Sequence, residues 1–182
     1  MAASDEQLML AYAGGDPAAF EALYGRHKGA LFRYVTRSVK ARGEAEEIYQ
    51  EIWMRVVEAR SRYRPEAKFT TWLYTIAHNR LVDLWRAKGL TLVSLDDEAA
   101  DLPEPAAAPD AEPQRAAEAR ETLARLAAAV DALPPAQREV FLLRMEADLT
   151  VPEIAAATGS DEEAAKSRLR YALSKLREAI DD

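Results

Sequence analysis

Residues 94–117, "SLDDEAADLPEPAAAPDAEPQRAA", cut this chain in two. The stretch holds four prolines, seven acids, one arginine and almost no large apolar side chain. Such a composition has nothing to bury that could offset the entropy lost on ordering, so it reads as a flexible acidic linker. Residues able to build a core lie on either side, in 1–93 and 118–182. A chain of 182 residues divided there predicts two small domains.

Both sides predict helix and essentially no sheet, because no segment sustains period-two alternation. Asp16-Pro17 supplies a cap followed by a first-turn proline, and Phe20, Leu23, Tyr24, Leu31, Phe32, Val35 and Val39 then recur at three- and four-residue steps. Gly43 is expected to interrupt. The next helix, "EAEEIYQEIWMRVVEARSRY", lines up Ile48, Ile52 and Val56 with Trp53 beside them, and Pro65 breaks it. Beyond the linker, "EARETLARLAAAVDAL" runs to Pro134-Pro135, followed by "AQREVFLLRMEA", "TVPEIAAAT" and a last helix from Asp161 to about Ile180. The fold class is all-α.

Composition narrows the function. There is no cysteine, and the two histidines are far apart in sequence, so disulfides, thiolate metal sites and a metal centre are not expected. No nucleotide-binding glycine loop or paired-carboxylate site is present, and no enzyme activity or cofactor is expected. No apolar run approaches the ~20 residues of a membrane span and no export signal is visible, so membrane insertion is not expected and the cytoplasm is the expected setting. The net charge of −7 disfavours unaided nucleic-acid binding. Two stretches run against it. Residues 60–88 hold seven basic and two acidic side chains, and residues 165–177 hold five basic and no acidic ones.

In the first of these, "KFTTWLYTIAHNRLVDLWR" places Leu73, Ile76, Ala77, Leu81 and Leu84 on one helical arc, flanked by Trp72, Tyr74 and Trp85. Thr71, Thr75, His78, Asn79, Val82 and Arg86 fall opposite, and most of these offer groups that contact phosphates and base edges. Arg80 and Asp83, three residues apart, are positioned to pair with each other. The preceding "RSRYRPEAKF" is basic, proline-broken and carries Tyr63; it suits either the holding of unstacked bases or a plain solvated loop.

In the second, "VPEIAAATGSDEEAAKSRLRYALSKL" has helix–turn–helix spacing. Two helices crossing steeply need a small residue such as Ala155 at the contact, and the tight turn needs Gly159. Ser160 or Asp161 can cap the second helix. Lys166, Ser167, Arg168 and Arg170 then fall early on it, where a recognition helix meets a major groove. An αα-hairpin within a bundle is the alternative.

Taken in order, these segments resemble the extracytoplasmic-function (ECF) sigma factors of bacterial RNA polymerase, members of the sigma-70 family. "GDPAAFEALYGRHKGALFRYV", "AEEIYQEIWMRV" and "FTTWLYTIAHNRLVDLWR" follow the family's first domain, a region 2 helical bundle. "ALPPAQREVFLLRMEADLTVPEIAAATG" and "KSRLRYALSKLRE" follow its second, the region 4 helix–turn–helix. The resemblance implies domains at 1–93 and 118–182, and partners comprising core RNA polymerase, promoter DNA and an anti-sigma factor. It implies that Glu47, Gln50, Glu51 and Arg55 dock on the polymerase. Arg62, Tyr63, Arg64 and Lys68, with Thr71, Thr75, His78 and Asn79, would bind the melted, single-stranded downstream element. Lys166, Ser167, Arg168 and Arg170 would read the double-stranded upstream element. The chain departs from the common family pattern at His78, Ala164, Ala165 and Tyr171, which bears on base preference.

Two other readings compete. A stand-alone helix–turn–helix regulator would need a dimerisation surface, and no heptad run is present. A sigma-like decoy that titrates an anti-sigma factor need not keep the basic helix or the melting loop, and both are here. The linker also sets a length. Two DNA turns span roughly 70 Å. Its residues reach about 80 Å when extended and ~27 Å as a relaxed coil, so service on a promoter requires an extended linker.

Overall fold

The computed structural model describes residues 2–89 and 113–181. Among these residues every regular element is a helix, with no strand. The helices are α1 (Asp5–Ala13), α2 (Pro17–Ser38), α3 (Arg42–Ala59), α4 (Phe69–Ala87), α5 (Pro113–Ala132), α6 (Pro135–Glu146), α7 (Val151–Thr158) and α8 (Glu162–Asp181), with one 3₁₀ turn at Arg60–Arg62. Residues 94–112 of the expected linker lie outside the described residues. Its last five, 113–117, belong to α5, which therefore begins earlier than the composition suggests.

Helix ends follow the local chemistry. Asp16 accepts the Ala18 N–H at 3.0 Å, with Pro17 opening α2. The break after α2 falls at Val39–Ala41 rather than at Gly43, which sits inside α3. Val39 leaves the helix in an extended conformation and turns its side chain into the core, and that burial outweighs the modest penalty of a helical glycine. Lys68 precedes α4 without a side-chain cap, and the missing acceptor comes from another helix: the Phe69 N–H donates to Glu6 of α1 at 2.8 Å. That bond holds the Glu6 carboxyl below its usual pKa.

The core begins in α1–α4. Met9, Leu23, Leu31, Ile48, Ile52, Phe69, Leu73 and Leu81 are fully buried. Each is worth roughly 1.5–3 kcal/mol of burial. The same cluster continues without a break into Val140, Leu142, Leu143, Leu149 and Ile154 of the C-terminal half. Helix α6 packs on α2 and α7 packs on α4, so the two halves close on each other. A smaller cluster of Val130, Leu133, Ala172 and Leu176 ties α5 to α8, with Phe141 touching both clusters.

Candidate nucleic-acid interface

The α7–α8 pair is built from its caps inward. Thr150 opens α7 with a reciprocal cap: its N–H donates to Glu153 at 2.8 Å, and its hydroxyl accepts the Glu153 N–H at 3.4 Å. Ile154, Ala155 and Ala157 turn inward. Gly159 then takes left-handed φ 63°, and the Ser160 N–H closes on the Ala155 carbonyl at 3.0 Å. Asp161 accepts the Ala164 N–H at 2.7 Å, which settles the cap of α8 between the two residues considered. Ala165, Ala172 and Leu176 fix the buried side of α8. Lys166 and Arg170 are consequently exposed, while Ser167 and Arg168 are half-buried at the edge. The Arg170 guanidinium lies 5.3 Å from the ring centroid of the exposed Tyr171. Helix α8 packs on α5, α6 and α7, which leaves this basic edge open.

The region around α4 is arranged differently. Arg62 and Arg64 of the loop are exposed, but Tyr63 points inward, its ring 4.9 Å from Trp72 and 6.3 Å from Phe69. Burial pushes its phenol up to about 12. Sequence periodicity sets Thr71, Thr75 and His78 on an open polar face; in the closed chain α7 covers that side of α4. Thr71 and His78 are buried, Thr75 is half-buried and returns its hydroxyl to the Thr71 carbonyl at 2.8 Å, and only Asn79 is exposed.

His78 Nδ1 lies 2.6 Å from Oε1 of Glu139 on α6, and the Tyr34 hydroxyl donates to the same oxygen at 2.8 Å. Glu139 is 4 % exposed, and both of these partners belong to the other half. Lys68 pairs with Glu153 at 2.8 Å, which lowers the pKa of that carboxyl. Arg33 and Arg37 reach Glu146 at 2.5 and 3.8 Å. Sequence reading passed over Glu139, Glu146 and Glu153. Their seven-residue spacing was the available signal, but it crosses a turn whose geometry the sequence did not provide.

On α3, Glu47 and Gln50 are exposed. The expected Arg80–Asp83 pair does not form. Arg80 instead bonds Glu51, and Asp83 takes Arg55 at 3.4 Å, because α3 lies closer to both side chains than they lie to each other. Met54, absent from the sequence-based selection, stands 57 % exposed on the same helix.

Residues 23–91 match Sigma-70 region 2, and residues 123–176 match Sigma-70 region 4. The ECF RNA polymerase sigma factor RpoE of Cereibacter sphaeroides is 33 % identical over 169 residues, covering 90 % of this chain and 87 % of the relative. This chain belongs to the ECF sigma factors of the sigma-70 family. Other relatives of this sigma factor include CarQ of Myxococcus xanthus, 31 % identical with 89 % of each chain covered. The ferric citrate uptake sigma factor FecI of Escherichia coli is 37 % identical, covering 77 % of this chain and 78 % of that one. Among solved structures, CnrH in complex with the cytosolic domain of CnrY superposes with TM-score 0.69 at 25 % identity over 97 % of both chains. The fold of a Bartonella quintana RpoE, solved with the anti-sigma factor NepR, also matches, with TM-score 0.66 at 20 % identity over 89 % of this chain and 96 % of that one. No helix among the described residues of the sigma factor is long and apolar enough to cross a membrane.

Proposed function

We propose that this sigma factor docks on core RNA polymerase through the α3 surface of Glu47, Gln50, Glu51 and Arg55, and reads a promoter at two places. Lys166, Ser167, Arg168 and Arg170 of α8 contact the duplex upstream element. Arg62, Arg64, Lys68, Thr71, Thr75, His78 and Asn79 contact the melted strand, and Tyr63 shapes the loop that holds it. The functional domains span 1–93 and 118–182. The protein does no chemistry of its own and works in the cytoplasm, with strand opening driven by binding energy. An anti-sigma factor is among its partners, by likeness to CnrH, which was solved with a bound protein segment.

The observation that carries this reading is the open basic edge of α8 behind a fully capped turn. Lys166 and Arg170 are exposed there, on a helix whose register is pinned by Ala165, Ala172 and Leu176. Exposed cations on the early turns of such a helix suit phosphates and base edges in a major groove. A chain of net charge −7 can neutralise only a few phosphates alone, so polymerase must hold both readers on the DNA together. The test is run-off transcription with core polymerase on promoters selected from a random library. Promoter-specific initiation is expected, and Lys166→Ala with Arg170→Ala should weaken upstream-element use while leaving core binding intact. Equal loss of core affinity in those variants would refute the division of roles.

A further inference from the structure

The contacts that close the two halves share one polarity. Every cross-half ion pair or charged hydrogen bond described above puts the acid on the C-terminal half: Glu139, Glu146 and Glu153. Their partners, Lys68, His78, Arg33, Arg37 and the Tyr34 hydroxyl, all belong to the N-terminal half. The three carboxylates recur every seven residues along α6 and into α7. We propose that Glu139 and Glu153, with Glu146 fastening the same edge to Arg33 and Arg37 of α2, form an intramolecular mimic of a nucleic-acid backbone over the strand-binding face of α4 and its loop, keeping it shut until the chain opens. This inference rests on the proposed assignment of Lys68, Thr71, Thr75 and His78 to the melted strand.

The chemistry is that of competition for one set of donors. A phosphate diester and a carboxylate each offer anionic oxygens to a lysine, an imidazole and a hydroxyl. Lys68 cannot hold Glu153 at 2.8 Å and a phosphate in the same place, and His78 Nδ1 is already within 2.6 Å of Glu139. Thr71 is buried in the same closed form. The closed form is nonetheless built to open. Glu139 must surrender its hydration to enter the interface, and the two hydrogen bonds it receives largely offset that cost rather than exceed it. Glu146 and Glu153 lie at the margin, their side chains 16 % and 17 % exposed, where water and salt compete for them. The upstream reader on α8 remains open in the same conformation, so closure silences one reader and spares the other.

Because the chain has no cysteine, a dye pair can be placed at will, for example at Glu58→Cys on α3 and Lys175→Cys on α8, both exposed positions. Energy transfer in the full-length protein then reports closure. Affinity for a random-sequence single-stranded DNA oligonucleotide reports access to the strand-binding face. In the Glu139→Gln/Glu146→Gln/Glu153→Gln variant, transfer should fall and oligonucleotide affinity should rise about tenfold or more, as expected when a minor open state of about a tenth or less becomes dominant. Unchanged transfer overturns the proposal. So does opening without any gain in affinity.

Run-off transcription by the holoenzyme carrying Lys68→Ala separates the two failures. If opening of the promoter still depends on Lys68, only the mimic is wrong; if it does not, the strand assignment itself has failed. Should the triple variant not fold, Glu146→Gln/Glu153→Gln keeps buried Glu139 and should show both changes in smaller measure, with neither change counting against the mimic.

Discussion

Gly159 permits a test in which the same chemical change is expected to have opposite signs at two sites. Its φ of 63° lies in the left-handed region, and a methyl group built on it would meet nothing within 4 Å. Steric clash with neighbours therefore contributes nothing, and the cost of Gly159→Ala is confined to the backbone. An L-residue in that conformation loses about 1–2 kcal/mol, less a few tenths regained because alanine restricts the unfolded chain. The expected net loss is about 1 kcal/mol, or roughly 2–4 °C in Tm for a chain of this size. Gly43 is also open around its would-be methyl but sits within α3, without a positive φ. Gly43→Ala should therefore stabilise by about 0.5–1 kcal/mol. Gly159→Asn should fall between parent and alanine, since asparagine tolerates the left-handed region. Urea unfolding followed by circular dichroism at 25 °C measures all three. Equal signs at positions 43 and 159, or asparagine no better than alanine at 159, would show that φ does not decide the outcome. Because this turn aims α8, Gly159→Ala should also weaken upstream-element use by the holoenzyme more than Gly43→Ala does.

Ile52→Ala, at a fully buried site, should cost about 2–5 kcal/mol, read from the urea midpoint. The Glu6 carboxyl titrates below its usual value in the folded chain, so its contribution is present above the unfolded pKa near 4.5 and is lost as pH falls through the folded one. Glu6→Gln should accordingly flatten the loss of stability seen in the parent below about pH 4.5, measured by urea unfolding at a series of pH values. Arg80→Ala releases Glu51 from its partner on α4, and core-polymerase affinity should drop by no more than about fivefold, the range of a partly exposed ion pair; a much larger drop would mean that Arg80 touches the polymerase itself. Lys166→Ala should lower the salt dependence of upstream-element binding by about one unit of slope, as expected for loss of one phosphate contact.

The helices were legible because their signals are local. Asp16-Pro17, Pro134-Pro135 and Gly159 mark turns and ends through their own backbone preferences, and the Ile48, Ile52, Val56 stripe is a matter of period alone, whereas α3 already ends at Ala59 and passes through a 3₁₀ turn before Pro65 is reached. The open edge of α8 followed from the same reasoning, since Lys166 and Arg170 stand clear of the buried positions on one helix. What escaped was everything set by one helix meeting another. Periodicity places Thr71 and His78 opposite an apolar arc; it does not say that α7 comes to rest there. Arg80 and Asp83 satisfied a spacing rule for pairing, yet each found its partner on α3. Gly43 looked like a break because glycine is a poor helix former, whereas the break was decided by Val39 reaching the core. Glu139 reads as an ordinary surface acid until its two partners, 61 and 105 residues away in sequence, are known.

The bond from Phe69 to Glu6 ties the start of α4 to the start of the chain across 63 residues. The loop that precedes α4 thus has its far edge anchored by a side chain from the very first helix, itself held by Arg26 and His27 through Asp5. Trimming a handful of leading residues, or fusing a tag that unwinds them, would slacken the loop before α4, proposed to hold the melted strand, without altering one of its own side chains. A defect in melting with normal polymerase docking would then trace to an apparently remote end.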